Sequence, residues 1–206
     1  MAVPDLLPRT LSSIVDRLAG PGWAVCPEFI DRQTLIGLAA EAQRLWREGV
    51  FRQARIGIGA HRQLRPEIRS DHFLWLDEAT LNPALAAYFA RIETLRLALN
   101  QVLCLGLFGF ESHVAVYPPG AFYRRHLDQF RDASHRVVSC ILYLNSDWSP
   151  ADGGQLRLYL ADAANPVDVL PEGGTLVVFL SDLIEHEVLP VRRERFSLTG
   201  WLRRRD

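Results

Sequence analysis

From about residue 111 onward the apolar residues of this chain recur at every second position, a period that argues for strands through the whole second half. The runs "SHVAVY", "RVVSCILYL", "QLRLYL", "GTLVVFL" and "FSLTGWL" are short and rich in β-branched and aromatic side chains. Between them lie "PPG", "SPADGG" and "PEGG", clusters that end strands and reverse the chain. Short strands at this spacing predict an antiparallel sandwich or barrel. Alternation then sorts side chains by face. In "RFSLTGWL" Arg195, Ser197, Thr199 and Trp201 share one face, with Phe196, Leu198 and Leu202 on the other; in "RVVSCILYL" Ser139, Ile141 and Tyr143 fall together.

The first hundred residues read as mainly helical. Asp31 can cap "RQTLIGLAAEAQRLWRE", whose apolar positions recur at spacings of three and four, and Gly49 follows as a stop. A second helix is predicted from Asn82-Pro83 through "ALAAYFARIETLRLALNQ". Between the two, "FRQARIGIGAHRQLRPEIRSDHF" is arginine-rich, carries Gly57 and Gly59, and shows no helical stripe. It reads as a mobile loop or an irregular hairpin. The helical half would cover one outer face of the sheets.

Composition narrows the class of function. With 206 residues, 49% of them hydrophobic, the chain is expected to form one soluble domain around one core. A net charge of -1 provides no global attraction to nucleic acid or anionic lipid. Cys26, Cys104 and Cys140 are widely separated and lack C-x-x-C spacing, so buried thiols in a reducing cytosol are expected rather than disulfides or a zinc knuckle. The opening "MAVPDLLPRT" lacks the basic and apolar regions of a signal peptide, and no run approaches a spanning helix. The expected location is cytoplasmic, with no membrane partner.

Chemistry enters at "RRHLDQF". His126 and Asp128 stand two apart in what reads as a strand and would share a face. An H-x-D pair alone is weak, but His186 follows the strand-like "GTLVVFL", and Arg195 lies nine residues after it. Two imidazoles and one carboxylate can occupy one face of an octahedral iron(II), whereas structural zinc prefers four closed ligands. Arg195, on the face that would line the barrel, needs an anion. That anion is either a bound carboxylate, with Tyr143 assisting, or a protein group such as Glu194 or Asp182.

Four stretches in order carry a resemblance: "YPPGAFYRRHLD", "CILYLNSDW" followed by "GGQLRLY", "HEVLPVRRERFSLTGW", and "EIRSDHFLWL" upstream. Together they resemble the iron(II)- and 2-oxoglutarate-dependent dioxygenases, in particular the prolyl 4-hydroxylases related to the oxygen-sensing "egg-laying nine" enzymes and their bacterial counterparts. The resemblance implies a mostly β fold with supporting α: a double-stranded β-helix (jelly roll, cupin-like) core flanked by N-terminal helices. It implies a single domain over 1–206, with helical support and a substrate loop (50–73) in 1–110 and the metal-bearing core in 111–206.

The resemblance also assigns residues. His126, Asp128 and His186 would bind iron(II); Arg195, with Tyr143 and Thr199, would hold the distal carboxylate of 2-oxoglutarate; Tyr117 would line the site. Arg69, Asp71 and Trp201 would meet the substrate, with Trp201 packed near the metal; the alternative for Arg69 and Asp71 is a surface charge pair at i to i+2. Oxygen is the second co-substrate, and ascorbate an auxiliary reductant in such enzymes. The implied partner is a protein carrying a target proline, which bacterial relatives place in the translation machinery. One departure is the turn "YPPGAFY", a residue shorter than in the animal enzymes, which bears on substrate preference. Three rivals stand beside this reading: a dioxygenase of free proline or a natural product, a non-catalytic metal-binding module, and a nucleic-acid demethylase. His61, His72, His113 and His135 carry no assigned role and are expected to be structural or exposed.

Overall fold

The computed structural model describes residues 9–54, 63–77, 82–129, 135–161 and 163–205. In chain order the elements are α1 (Arg9–Ala19), β1 (Trp23–Cys26), α2 (Arg32–Arg47), β2 (Arg52–Gln53), β3 (His72–Trp75), α3 (Pro83–Leu103), β4 (Gly109–Tyr117) and β5 (Tyr123–His126). They continue as β6 (Arg136–Tyr143), β7 (Leu156–Tyr159), β8 (Val167–Val169), β9 (Leu176–Leu180), β10 (Glu185–Val188) and β11 (Arg195–Arg203).

Local signals place the two long helices where the sequence puts them. The Asp31 side chain accepts hydrogen bonds from Thr34 N at 2.9 Å and Thr34 Oγ1 at 2.6 Å, satisfying a donor that the first turn of α2 leaves open. Asn82 does the same for Leu85 N at 2.9 Å, with Pro83 at the first helical position of α3. Along α3, Leu85, Tyr88, Ile92, Leu95 and Leu99 recur at spacings of three and four, and all are buried.

The strands form two antiparallel sheets. The major sheet runs β1-β9-β6-β11-β4-β3-β2 and the minor sheet β5-β10-β7-β8. From β4 to β11 the chain crosses between sheets at every connection except β7 to β8, which pair within the minor sheet, and this alternation makes a double-stranded β-helix. The outer face of the major sheet, through Val114, Val116, Val138, Leu142, Phe196 and Leu198, packs on the three helices. Its inner face packs Ile141, Tyr143, Val177 and Phe179 toward Leu156, Leu158 and Val188 of the minor sheet. That division of faces is the one alternation predicts.

Three expectations need correction. The first half is more than helical support, because β1, β2 and β3 extend the major sheet at both edges. Runs of two to four residues are too short to show a period, so only pairing reveals them. Of the 50–73 segment, residues 55–62 lie outside the described residues, and the flanks form the β2–β3 hairpin, with Arg52 opposite Phe73 and Gln53 opposite His72. Finally, Cys26 and Cys140 are buried free thiols, but Cys104 is exposed at the C-cap of α3 in left-handed backbone. Among the described residues no helix is long and apolar enough to cross a membrane.

Candidate active site

The strand expected to carry both His126 and Asp128 ends at His126, and Asp128 sits in the bend that follows. Convergence therefore comes from strand pairing rather than from a shared strand face. In the minor sheet His126 is the register partner of His186, which puts their ring centroids 4.2 Å apart. The bend then brings Asp128 Oδ1 to 3.5 Å from His126 Nε2 and 3.7 Å from His186 Nε2. One ligand atom from each of the three residues lies within 4.8 Å of the others.

The protonation pattern suits a cation. His126 Nδ1 lies 2.8 Å from the Arg124 carbonyl and His186 Nδ1 lies 3.2 Å from that of Ile184. A carbonyl can only accept, so each Nδ1 carries a proton, and in the neutral ring that leaves the Nε2 lone pair toward Asp128. Burial lowers the His186 pKa to about 4, so its ring is neutral near pH 7. Burial alone would raise the Asp128 carboxyl, but the His186 and His126 imidazoles and the Ser139 hydroxyl outweigh it and hold the group well below the usual carboxylate range. Two lone pairs and an ionised oxygen facing one another fit a divalent metal of intermediate softness.

The side chains around the triad are equally engaged. Asp128 Oδ2 accepts from Ser139 Oγ at 2.6 Å and from Trp201 Nε1 at 2.9 Å, so the indole expected to meet the substrate has its N–H turned onto the carboxylate. Tyr123 stacks on His126 with centroids 3.6 Å apart and planes 17° apart. Arg69 covers the other side of Tyr123 at 4.2 Å, and pairs through Nε and Nη2 with the buried Asp71 at 2.8 and 2.6 Å. Arg69 and Asp71 line the cavity, yet their charged groups face each other behind a triad histidine.

Arg195 opens β11 opposite Tyr117 of β4 and is 1% exposed. Its Nε donates to the Gly154 carbonyl at 2.9 Å, and its guanidinium carbon lies 5.0 and 4.9 Å from the Tyr117 and Tyr143 ring centroids. Glycine is required for that approach. Gly154 has φ +69, and a Cβ there would come within 2.7 Å of Val191 Cγ1 and 3.0 Å of Arg195 Cδ. No carboxylate among the described residues pairs with Arg195: Glu194 accepts from Trp46 Nε1 instead, and Asp182 is exposed. The Tyr143 hydroxyl is buried beside that guanidinium, its own proton has no acceptor among the described residues, and burial outweighs the neighbouring cation to push its phenol up to about 12. A cation and a neutral donor, both desolvated and both open, point to an anion.

The triad, Arg195 and Thr199 line one cavity of about 890 Å³ between the sheets. His113, expected to be structural or exposed, also lines it. It is buried, its Nδ1 has no partner among the described residues, and its ring sits 5.6, 5.1 and 5.4 Å from those of Phe73, Trp75 and Trp201. Burial lowers its pKa to about 3, so it is a neutral ring in an aromatic wall. Alternation from Tyr117 back through Ala115 would have found it on the inner face. His72 is half-buried against Trp46, His135 is half-buried at the start of β6, and His61 lies outside the described residues.

A double-stranded β-helix with two histidines and one carboxylate at its open face defines a class of metal-dependent oxygenase. The chain belongs to the 2OG-Fe(II) oxygenase superfamily, whose family model matches residues 112–203. Among solved structures it is similar to a Pseudomonas putida prolyl-4-hydroxylase, at 49% identity and a TM-score of 0.87, over 95% of this chain and all of that one. It is also similar to a Trichoplax adhaerens prolyl hydroxylase solved with a hypoxia inducible factor peptide, at 26% identity and a TM-score of 0.86, over 95% of this chain and 89% of that one. A hypoxia-inducible factor prolyl hydroxylase of Caenorhabditis elegans is 32% identical over 87% of this chain. Egl nine homolog 1 of Mus musculus is 28% identical over 95% of it. The chain spans 26% of the nematode protein and 50% of the mouse protein.

Proposed function

We propose that the protein is an iron(II)- and 2-oxoglutarate-dependent dioxygenase that hydroxylates a prolyl residue in a protein substrate, with conversion of 2-oxoglutarate to succinate and carbon dioxide. The observation that carries the reading is Arg195, a buried guanidinium without a carboxylate partner among the described residues, lining the cavity that holds the triad. The kinship with prolyl hydroxylases over nearly the whole chain supports the substrate class.

His126, Asp128 and His186 would hold the metal through two Nε2 lone pairs and Oδ1. Bound iron, with the co-substrate, supplies the oxygen chemistry that side chains lack. Arg195 would meet the distal carboxylate of 2-oxoglutarate with its terminal nitrogens, since Nε is engaged by Gly154. Tyr143, protonated at all ordinary pH, would add a neutral hydrogen bond to the same group. Ile141, Leu156 and Val188 also line the cavity and belong to the same buried apolar cluster as Tyr143, surroundings of low polarity in which both contacts would be strengthened. Phe73, Trp75 and Trp201 form an aromatic wall, their rings edge-on or tilted to one another, that offers apolar surface to the ring of a proline.

The test is an anaerobic titration with iron(II) and then 2-oxoglutarate, following the visible metal-to-ligand charge-transfer absorption, with His126→Ala as control. Absorption in the wild type alone supports the metal and co-substrate. Its absence from folded, iron-loaded protein would leave a binding module as the better reading. Oxygen-dependent 2-oxoglutarate turnover stimulated by prolyl peptides, and not by free proline, supports the protein-substrate class.

A further inference from the structure

The two oxygens of Asp128 have separate surroundings. Oδ1 faces the two imidazoles at 3.5 and 3.7 Å. Oδ2 is held by the Ser139 hydroxyl at 2.6 Å and the Trp201 indole at 2.9 Å. Ser139 and Trp201 are register partners on β6 and β11, so the two donors approach the same oxygen side by side. Behind Ser139 lies Ser181, with the two hydroxyl oxygens 2.9 Å apart and both residues fully buried.

Proton counting orients this pair. A hydroxyl has one proton to donate, and the ionised carboxylate has none. Ser139 gives its proton to Asp128, so Ser181 must donate to Ser139. The order is Ser181 to Ser139 to Asp128 Oδ2.

Ser181 is itself fixed. Its N–H donates to the Val137 carbonyl at 3.0 Å, and its carbonyl accepts from Gln129 N at 3.2 Å. It stands directly after β9, in the turn that leads into β10 and His186. The hydroxyl chain thus ties together the bend that carries Asp128, strand β6, and the turn before the distal histidine.

We propose that the Ser181–Ser139 relay is a positioning device that restricts Asp128 to one-oxygen coordination of the metal. The inference rests on the reading of the triad as a metal centre. A free carboxylate can offer both oxygens to one ion. Here the second oxygen could reach the metal only by giving up two hydrogen bonds in a dry interior, so one more coordination position stays open for the co-substrate or oxygen. Neither serine touches the cavity contents; both act through Asp128.

Cobalt(II) alone, with no co-substrate or peptide, is the probe, because its visible absorption reports coordination number. Ser139→Ala is expected to weaken cobalt(II) binding about 10- to 100-fold, the usual effect of removing an outer partner of a metal ligand, and to change the visible spectrum. Ser181→Ala should show the same spectral change at smaller size, since Ser139 still donates. Ser139→Thr, which keeps a hydroxyl, should restore the wild-type spectrum. A folded Ser139→Ala with wild-type affinity and spectrum would overturn the relay, as would lowered thermal stability with an unchanged spectrum. Should Ser139→Ala fail to fold, Ser181→Ala decides alone, and wild-type behaviour there rejects the proposal. Wild-type protein that binds no cobalt(II) or iron(II) would instead overturn the metal-centre reading, and is seen before any variant is compared.

Discussion

Replacement of Arg195 by lysine isolates the role assigned to the buried guanidinium. The native group uses Nε for the Gly154 carbonyl and keeps its terminal nitrogens for a ligand. An ammonium on a straight stem cannot serve both, and it cannot meet a carboxylate with two parallel bonds. The loss corresponds to one charge-assisted hydrogen bond, about 1 to 3 kcal/mol, or about a 5- to 150-fold rise in Kd for 2-oxoglutarate. Ligand-induced stabilisation reads this directly. With the manganese(II)-loaded protein and 2-oxoglutarate at 100 times the wild-type Kd, binding stabilises the wild type by about 2.7 kcal/mol. Arg195→Lys should retain only about 0.3 to 1.8 kcal/mol of it in urea unfolding. Arg195→Met sharpens the test, because it removes a cation with no carboxylate partner among the described residues and gives up the single Nε bond to Gly154, so ligand-free stability should change by no more than about 1 kcal/mol. An unchanged Kd in Arg195→Lys refutes the assignment. So does a loss of about 3 to 5 kcal/mol in ligand-free Arg195→Met, the size expected if the cation already had a buried protein partner.

Asp128→Ala should abolish 2-oxoglutarate turnover by loosening the metal, and wild-type turnover with iron content confirmed would reject the triad. Tyr143→Phe removes a buried hydroxyl that has no partner among the described residues, so it should weaken 2-oxoglutarate binding by about 1 kcal/mol while leaving ligand-free stability unchanged or raised; lower ligand-free stability would mean the hydroxyl is satisfied without ligand. His113 has a folded pKa of about 3, below its unfolded value of about 6.5, so the unfolded chain binds the extra proton. Its contribution is complete above pH 6.5 and is lost as pH falls toward 3, by about 2 kcal/mol at pH 5. His113→Met should lose less stability than wild type between pH 7 and pH 5 in urea titrations, and equal losses would place the acid sensitivity elsewhere.

The aromatic and hydroxyl surroundings of Asp128 show where sequence reading stops. Alternation alone puts Ser139 and Trp201 on the inner face, but nothing in their spacing says that both donate to one oxygen 11 and 73 residues away. Arg69 and Asp71 read as substrate contacts because of where they stand in the chain. Folding turns them onto each other across the i to i+2 interval and buries the pair against Tyr123, and only that second contact is set by tertiary packing. The same limit explains β1, β2 and β3, which are too short to announce themselves until β9 and β4 supply partners.

What this sequence determines by itself is local: the period of two from β4 onward, the Asp31 and Asn82 caps, the turn glycines, and the presence in order of His126, Asp128, His186 and Arg195. These are properties of neighbouring residues, set by backbone sterics and by the few side chains that can cap, turn or ligate. The tertiary structure alone decides which nitrogens face Oδ1, that Arg195 is left without a carboxylate among the described residues, and that His113 enters the cavity wall. Those outcomes depend on strand register between segments tens of residues apart and on which polar groups burial leaves without water, quantities that exist only once the sheets have closed.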